Sequence, residues 1–462
     1  MSDSLDDWGG AEFVLAADRL DTPDVIEAAD PGDMLRQVAS AAAQVRTALR
    51  SCLESDLSAF TPDARPRAIV VAGLGGAGLA GELLGALTGP GSPVQVLATR
   101  AERLPGWVGA ADVVIAASGS GTMAETLPVA AEAARRGCRL VCVGERDSAL
   151  QRIAEQARAP FIPVIPAGPP GSALPGSAPP GSALPGSALT GSALPGSALP
   201  GSALPGSALP RATFWGLAIP MLVVAERLGV TRIGPEVYEQ AATRLEEVSH
   251  QCRPASESFV NPGKSLALDL VGTLPLVWGT SVLSGVAARR FAAQLSDNAK
   301  YPAIVGLLPE AAHSQIAAFD GPFAPSANSS PAVTAEQLPP SASPPPYSAG
   351  ADDLSGLPDL SDWALDYEDS PGPGSGFTPL RLVLIVDPDQ DPRVAAQQRA
   401  VTELVGLRGI GLSELAMDGE HPLVRLAGVV QLADYASVYL AIASGIDPSQ
   451  TAAVTDLQTR IE

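Results

Sequence analysis

Aromatic residues are scarce: Phe, Trp and Tyr make up 4% of the 462 residues, although hydrophobic residues together reach 46%. The cores must therefore be built mainly from Ala, Val, Leu and Ile. Basic residues are short as well, 29 Lys and Arg against 50 Asp and Glu, for a formal charge of −21. Neutralising a phosphate backbone needs clustered Lys and Arg, so no nucleic-acid partner is expected. The same deficit constrains any anionic metabolite, whose site must use backbone N–H groups, hydroxyls and helix N-termini. Four cysteines (Cys52, Cys138, Cys142, Cys252) without CxxC spacing argue for plain thiols in a reducing, cytoplasmic setting. The three histidines, His250, His313 and His421, are scattered, so no metal site and no other cofactor is called for. Long apolar runs are missing too. The stretch FWGLAIPMLVVA, Phe214–Ala225, is too short to cross a bilayer and reads as a buried helix, so no membrane partner is expected. The opening MSDSLDDWGG is acidic and lacks an apolar core, which predicts no secretory leader.

What is abundant is glycine and proline, 46 and 44 residues, more than compact domains use. Much of it lies in two tracts. Residues 169–210 are dominated by a repeated GSALP unit that matches no solenoid period and forbids a stable helix, so it reads as a disordered linker spanning roughly 35 Å. Residues 324–376 run from Ser/Pro-rich to strongly acidic and read as a second disordered insertion. Outside them, short β-branched runs alternate with helical patterns. AIVVAG, VQVLAT, ADVVIAAS, LVCVGE and APFIPVI form one series; LPLVWGT, AIVGLL and RLVLIVD form another. This predicts an α/β fold with two mostly parallel sheets, each with helices on both faces. The expected domains are 24–250 and 255–462, each carrying one insertion.

Two turns carry possible chemistry. GLGGAGLAG, Gly73–Gly81, joins a strand to a helix and satisfies GxGxxG, the arrangement by which a glycine turn and a helix N-terminus cradle phosphate at Gly75 and Gly76. A dinucleotide fold is the familiar use of this pattern, but the next strand ends VQVLATR without the acid that would hold a ribose hydroxyl. SGSGTMAET, Ser118–Thr126, repeats the strand-to-helix placement with the hydroxyls of Ser118, Ser120 and Thr122. Two such turns at successive crossover ends point to a small anionic ligand.

GLGGAGLAG, LPGWV and SGSGTMAETL resemble the bifunctional phosphoglucose/phosphomannose isomerases, whose pattern is GMGGSGxGG and then SYSGNTEET. The resemblance continues through PRATFWG, NPGKSLALDL, RRFAAQLSDNAK, LPEAAHSQI and ADYASVYLAIASGIDP, in order, across the chain apart from the two tracts. It implies two sugar-isomerase (SIS) domains, a homodimer, and metal-free proton transfer between glucose or mannose 6-phosphate and fructose 6-phosphate. In that family a Glu in NENAK is the base and a His in PELNHNE opens the ring. The matching residues here are Asp297 and His313, sixteen apart, with Arg211 in the place of the family's enediolate-stabilising arginine. Ala77 and Met123 stand where the family has phosphate-binding hydroxyls, and Gln458 where it has a lysine. The resemblance thus leaves open a degenerate relative that binds sugar phosphate without catalysis.

Overall fold

The computed structural model describes residues 15–165, 210–325 and 378–461; both low-complexity tracts lie almost wholly outside them. The first sheet contains β1 (Ala68–Ala72), β2 (Gln95–Thr99), β3 (Val113–Ser118), β4 (Arg139–Gly144) and β5 (Phe161–Pro163) in the order β2-β1-β3-β4-β5. The second contains β6 (Leu274–Gly279), β7 (Ile304–Leu307), β8 (Leu380–Val386) and β9 (Gly411–Ala416) in the order β7-β6-β8-β9. Every strand pair is parallel, as crossover helices require. β9 was not expected from the sequence, because GLSELA has no β-branched residue; pairing with β8 along its whole length decides it.

Successive residues of a strand face opposite ways, and here they enter different cores. Ile69 and Val71 of β1, with Val277 of β6 and Val383 and Ile385 of β8, join one central core shared by both sheets. Val70 and Ala72 pack outward instead on α3 (Thr126–Arg135) and α4 (Ala149–Ala157), through Val129, Ala133 and Leu150. Leu276 and Trp278 of the second sheet likewise face away, towards α9 (Pro392–Leu407), through Val401 and Val405.

The central layer holds α1 (Ala41–Glu54), α2 (Gly76–Thr88), α5 (Phe214–Arg227), α6 (Pro235–Gln251), α7 (Pro262–Leu270), α8 (Val282–Gln294) and α10 (Pro422–Ala443). α5 is the buried helix that the apolar run predicted. α10 is longer, with a mean hydropathy of 1.5 over its best window, enough by length and composition to cross a bilayer. It does not face outward: 94% of that window is buried inside the protein. The final helix, α11 (Ala452–Ile461), is exposed at nearly every described position.

Ahead of α1, Asp30 closes the turn into the short helix Met34–Ala39 by accepting from the Met34 and Leu35 N–H groups, at 2.7 and 2.8 Å. Burial outweighs those two bonds and pushes its carboxyl from 3.8 up to about 6. A folded-state value above the unfolded one means that the native protein holds the proton more tightly. The stabilisation is complete below about pH 4 and is lost as pH rises through 6, at most roughly 3 kcal/mol. Asp30→Asn should therefore flatten the fall in stability between pH 4 and 7, measured by urea unfolding; an unchanged slope would place the titration elsewhere.

Candidate functional site

β1 and β3 are neighbours although β2 separates them in sequence, so chain direction across the sheet reverses between them. In parallel sheets ligands bind at the carboxyl ends of such a strand pair. The Gly73 turn leaves β1 there and the Ser118 turn leaves β3 beside it. They are close enough that a Cβ on Gly73 would lie 2.7 Å from the Ala117 carbonyl oxygen.

The glycines of the first turn divide by role. Gly73 and Gly78 are closed in by the protein itself, the latter by the Gly73 carbonyl at 2.8 Å, so they serve helix–strand packing. Gly75 is different. It has φ 52° and ψ −123°, a conformation that L residues avoid, and open space where a Cβ would be. Gly76 begins α2, and the N–H groups of Gly75 and Gly76 donate to no acceptor among the described residues. These two amides are the open part of the cradle.

In the second turn Ser118 is buried, its Oγ accepting from the Gly121 N–H at 3.1 Å. Ser120 and Thr122 lie nearer solvent, their hydroxyls 2.9 Å apart. α3 does not begin directly after Gly121, as the sequence suggested, but at Thr126, so its N-terminus lies a further turn of chain away. Ala77 is buried and Met123 exposed, and neither carries a hydroxyl. Gly121 has φ 66°, and a Cβ there would lie 2.2 Å from the Ser148 hydroxyl that caps α4. Gly121→Ala should therefore cost roughly 2–3 kcal/mol, from the left-handed backbone and the displaced cap. Gly75→Ala, facing open space, should cost about 1–2 kcal/mol of backbone strain but lower phosphate affinity at least tenfold. Calorimetry and urea unfolding on both variants separate the roles; equal losses of binding would show that they are not distinct.

The second turn leads on to the rest of the site. A Cβ on Gly119 would sit 3.3 Å from the Thr213 hydroxyl, two residues beyond Arg211. Arg211 lines a cleft of about 640 Å³ with Ser296, Asp297, Lys300 and the segment Gln450–Val454 that opens α11. Asp297 lies in the π-helical turn Leu295–Ala299 that ends α8, and Lys300 closes that turn in a left-handed conformation, φ 59°. The Arg211 guanidinium donates to the main-chain carbonyls of Asp297 and of Ser449, the latter at 2.9 Å. Lys300 Nζ donates to the Asp297 carbonyl at 2.7 Å. Both cations thus converge on the Asp297 backbone, leaving its exposed carboxylate without a hydrogen bond or ion pair among the described residues. Burial draws Arg211 below its ordinary value, opposed by Asp297 and Asp447; shielding and then the Arg211 charge lower Lys300. Two cations, Arg211 and Lys300, thus face two carboxylates, Asp297 and Asp447, around the cleft.

Of the catalytic candidates, Arg211 and Asp297 meet in this cleft and His313 does not. It is exposed on the short helix Ala311–Ser314, after β7. His421 caps α10, its Nδ1 accepting from the Leu423 N–H, and His250 lies against Arg253. Among the described residues no three His, Cys, Asp or Glu side chains gather as metal ligands. Gln458 falls within α11. Lys300, one of only two lysines in the chain, and the segment Gln450–Val454 were not among the site candidates of the sequence.

Among the described residues, the ends of β6 and β8 in the second sheet are bridged by side-chain contacts. After β6, the Ser281 hydroxyl donates to Asp387 Oδ2 at 2.6 Å, and Arg425 lies 3.3 Å from Asp387 Oδ1.

Residues 259–461 match the sequence profile of the bacterial phospho-glucose isomerase C-terminal SIS domain. A bifunctional phosphoglucose/phosphomannose isomerase of Caldicellulosiruptor bescii is 21% identical over 393 residues, 85% of this chain and 89% of that one. Among solved structures, a hypothetical protein from Thermus thermophilus superposes with a TM-score of 0.57 at 12% identity, covering 98% of this chain and 94% of its own. The C-terminal domain of glucosamine-fructose-6-phosphate aminotransferase from Francisella tularensis gives 0.50 at 14%, covering 90% and 98%. At such identities the solved structures speak for the fold alone.

Proposed function

We propose that the chain is a double SIS-domain protein related to the bifunctional phosphoglucose/phosphomannose isomerases, and that it interconverts glucose 6-phosphate and mannose 6-phosphate with fructose 6-phosphate in the cytoplasm. The modules are residues 24–250 and 255–462. The observation that carries the reading is the meeting of an unpaired carboxylate, Asp297, with the two cations Arg211 and Lys300, in a cleft linked through Thr213 to the turn that follows β3.

The phosphate is held by the Gly75 and Gly76 amides and the hydroxyls of Ser120 and Thr122, with Ser118 bracing the turn. Asp297 removes the proton from the carbon next to the carbonyl and returns it to the neighbouring carbon. The negative charge of the enediolate between those steps lies against Arg211 and Lys300. This route needs only acid–base groups and no metal. His313 stands outside the cleft of its own chain, so it opens the sugar ring in the site of a second copy, and the active species is a homodimer.

Loss of the family hydroxyls at Ala77 and Met123 favours the second reading, a protein that binds sugar phosphate without turning it over. Purified protein supplied with fructose 6-phosphate, with the two aldose phosphates scored separately, decides between them. Formation of either aldose phosphate is the expected result. Calorimetric binding without product establishes the second reading, and neither binding nor product rejects both.

A further inference from the structure

Beneath the cleft lies a buried polar layer that joins the two halves of the chain. Arg290 of α8 and Asp434 of α10 form a two-pronged ion pair, Nε to Oδ1 at 3.0 Å and Nη2 to Oδ2 at 2.8 Å, with side chains only 4% and 8% exposed. Arg290 Nη2 also donates to the main-chain carbonyl of Arg211 at 2.8 Å, and its guanidinium lies over the Phe214 ring, 5.1 Å from the centroid. One turn further along α10, the Ser437 hydroxyl donates to the Asp434 carbonyl and accepts from Asn298 Nδ2 at 2.9 Å. Asn298 is the immediate neighbour of Asp297. A single stretch of α10 therefore holds Arg211 through Arg290 on one side and the Asp297 turn through Asn298 on the other.

Burying an ion pair adds little net stability over apolar packing, because both charges must leave water. What it fixes well is geometry, since a planar guanidinium can serve a carboxylate and a carbonyl together in one orientation. We propose that Arg290, clamped by Asp434, is a positioning residue that sets Arg211 against the Asp297 turn. The inference rests on the isomerase reading above. Arg290 touches no substrate; it acts through the Arg211 backbone. The segment it holds, Pro210–Ala212, is a single 3₁₀ turn, tied further along by the Gln44 amide, which donates to the Ala212 carbonyl at 2.8 Å.

The test uses the full chain and the aldose phosphate assay. Arg290→Lys keeps the charge but cannot serve the Asp434 carboxylate and the Arg211 carbonyl together in this planar geometry. It should lower kcat about 10- to 100-fold, the cost of a misplacement near 1 Å, with KM for fructose 6-phosphate changed less than threefold. In an Arg211→Lys background the same change should cost little further, since the effect passes through Arg211. Should Arg290→Lys fail to fold, Asp434→Asn, which keeps an acceptor of the same shape, carries the test with an expected fall of about tenfold in kcat. A folded variant with unchanged kcat, or equal losses in the presence and absence of Arg211, overturns the inference alone. No turnover by the unaltered protein overturns the isomerase reading and this inference with it.

Discussion

Asp297→Asn should abolish most turnover, lowering kcat by about 10²–10⁴-fold, the usual contribution of a positioned base. The substitution is well isolated. Arg211 and Lys300 hold the main-chain carbonyl of Asp297, not its side chain, so the amide leaves their contacts in place. It leaves the glycine and serine turns after β1 and β3 untouched as well. Affinity for fructose 6-phosphate, measured by calorimetry, should therefore stay within about threefold while product formation collapses. A variant that retained a tenth or more of the original kcat would show that another group takes the proton. The carboxylate here is one methylene shorter than the glutamate of the related isomerases, which makes Asp297→Glu informative beside it. If reach limits the rate, the longer side chain should turn over at least as fast as the original.

Lys264→Met should destabilise the fold by about 3–5 kcal/mol, as when one partner is removed from a buried charged arrangement. Lys264 is 1% exposed, and its ammonium donates to three backbone carbonyls: Leu20 at 2.5 Å, Pro254 at 2.8 Å and Ser256 at 2.7 Å. Three protons meet three acceptors, Asp21 lies 3.6 Å away, and the Tyr439 ring lies 5.7 Å from Nζ. Methionine fills the space but leaves the carbonyls dry and unpaired. Relief from burying a charge offsets part of that loss, since burial already lowers the ammonium below its ordinary value. Arginine should fail too, because a planar fork cannot reproduce a tripod of donors. Urea unfolding measures both variants; a methionine variant within about 1 kcal/mol of the original would show that the carbonyls find other partners.

Lys264 and Lys300 show how far the sequence reaches. They are the only lysines among 29 basic residues, and rarity alone does not say what either one does. Only packing separates them. One ties residues near 20 and 255 to the core; the other stands at the edge of the cleft beside Arg211. The glycine turn behaves the same way. Its spacing announced a phosphate cradle, whereas Gly73 and Gly78 pack against backbone and only Gly75 and Gly76 remain open to a ligand.

Most of the elements, their parallel pairing into two sheets and the turns at the strand ends are legible in the chain alone, because hydrophobic period and glycine placement are local and survive without knowledge of neighbours. The sequence did not determine β9, whose residues have no strand preference of their own, nor the burial of α10, which composition alone would allow in a bilayer. Tertiary structure alone decided the site. It set Arg211 against Asp297, 86 residues apart, and Arg290 against Asp434, 144 apart, while keeping His313 out of the same cleft. Such pairs leave no periodic trace in a chain, since what selects them is the geometry of helices packed between two sheets rather than the identity of the residues beside them.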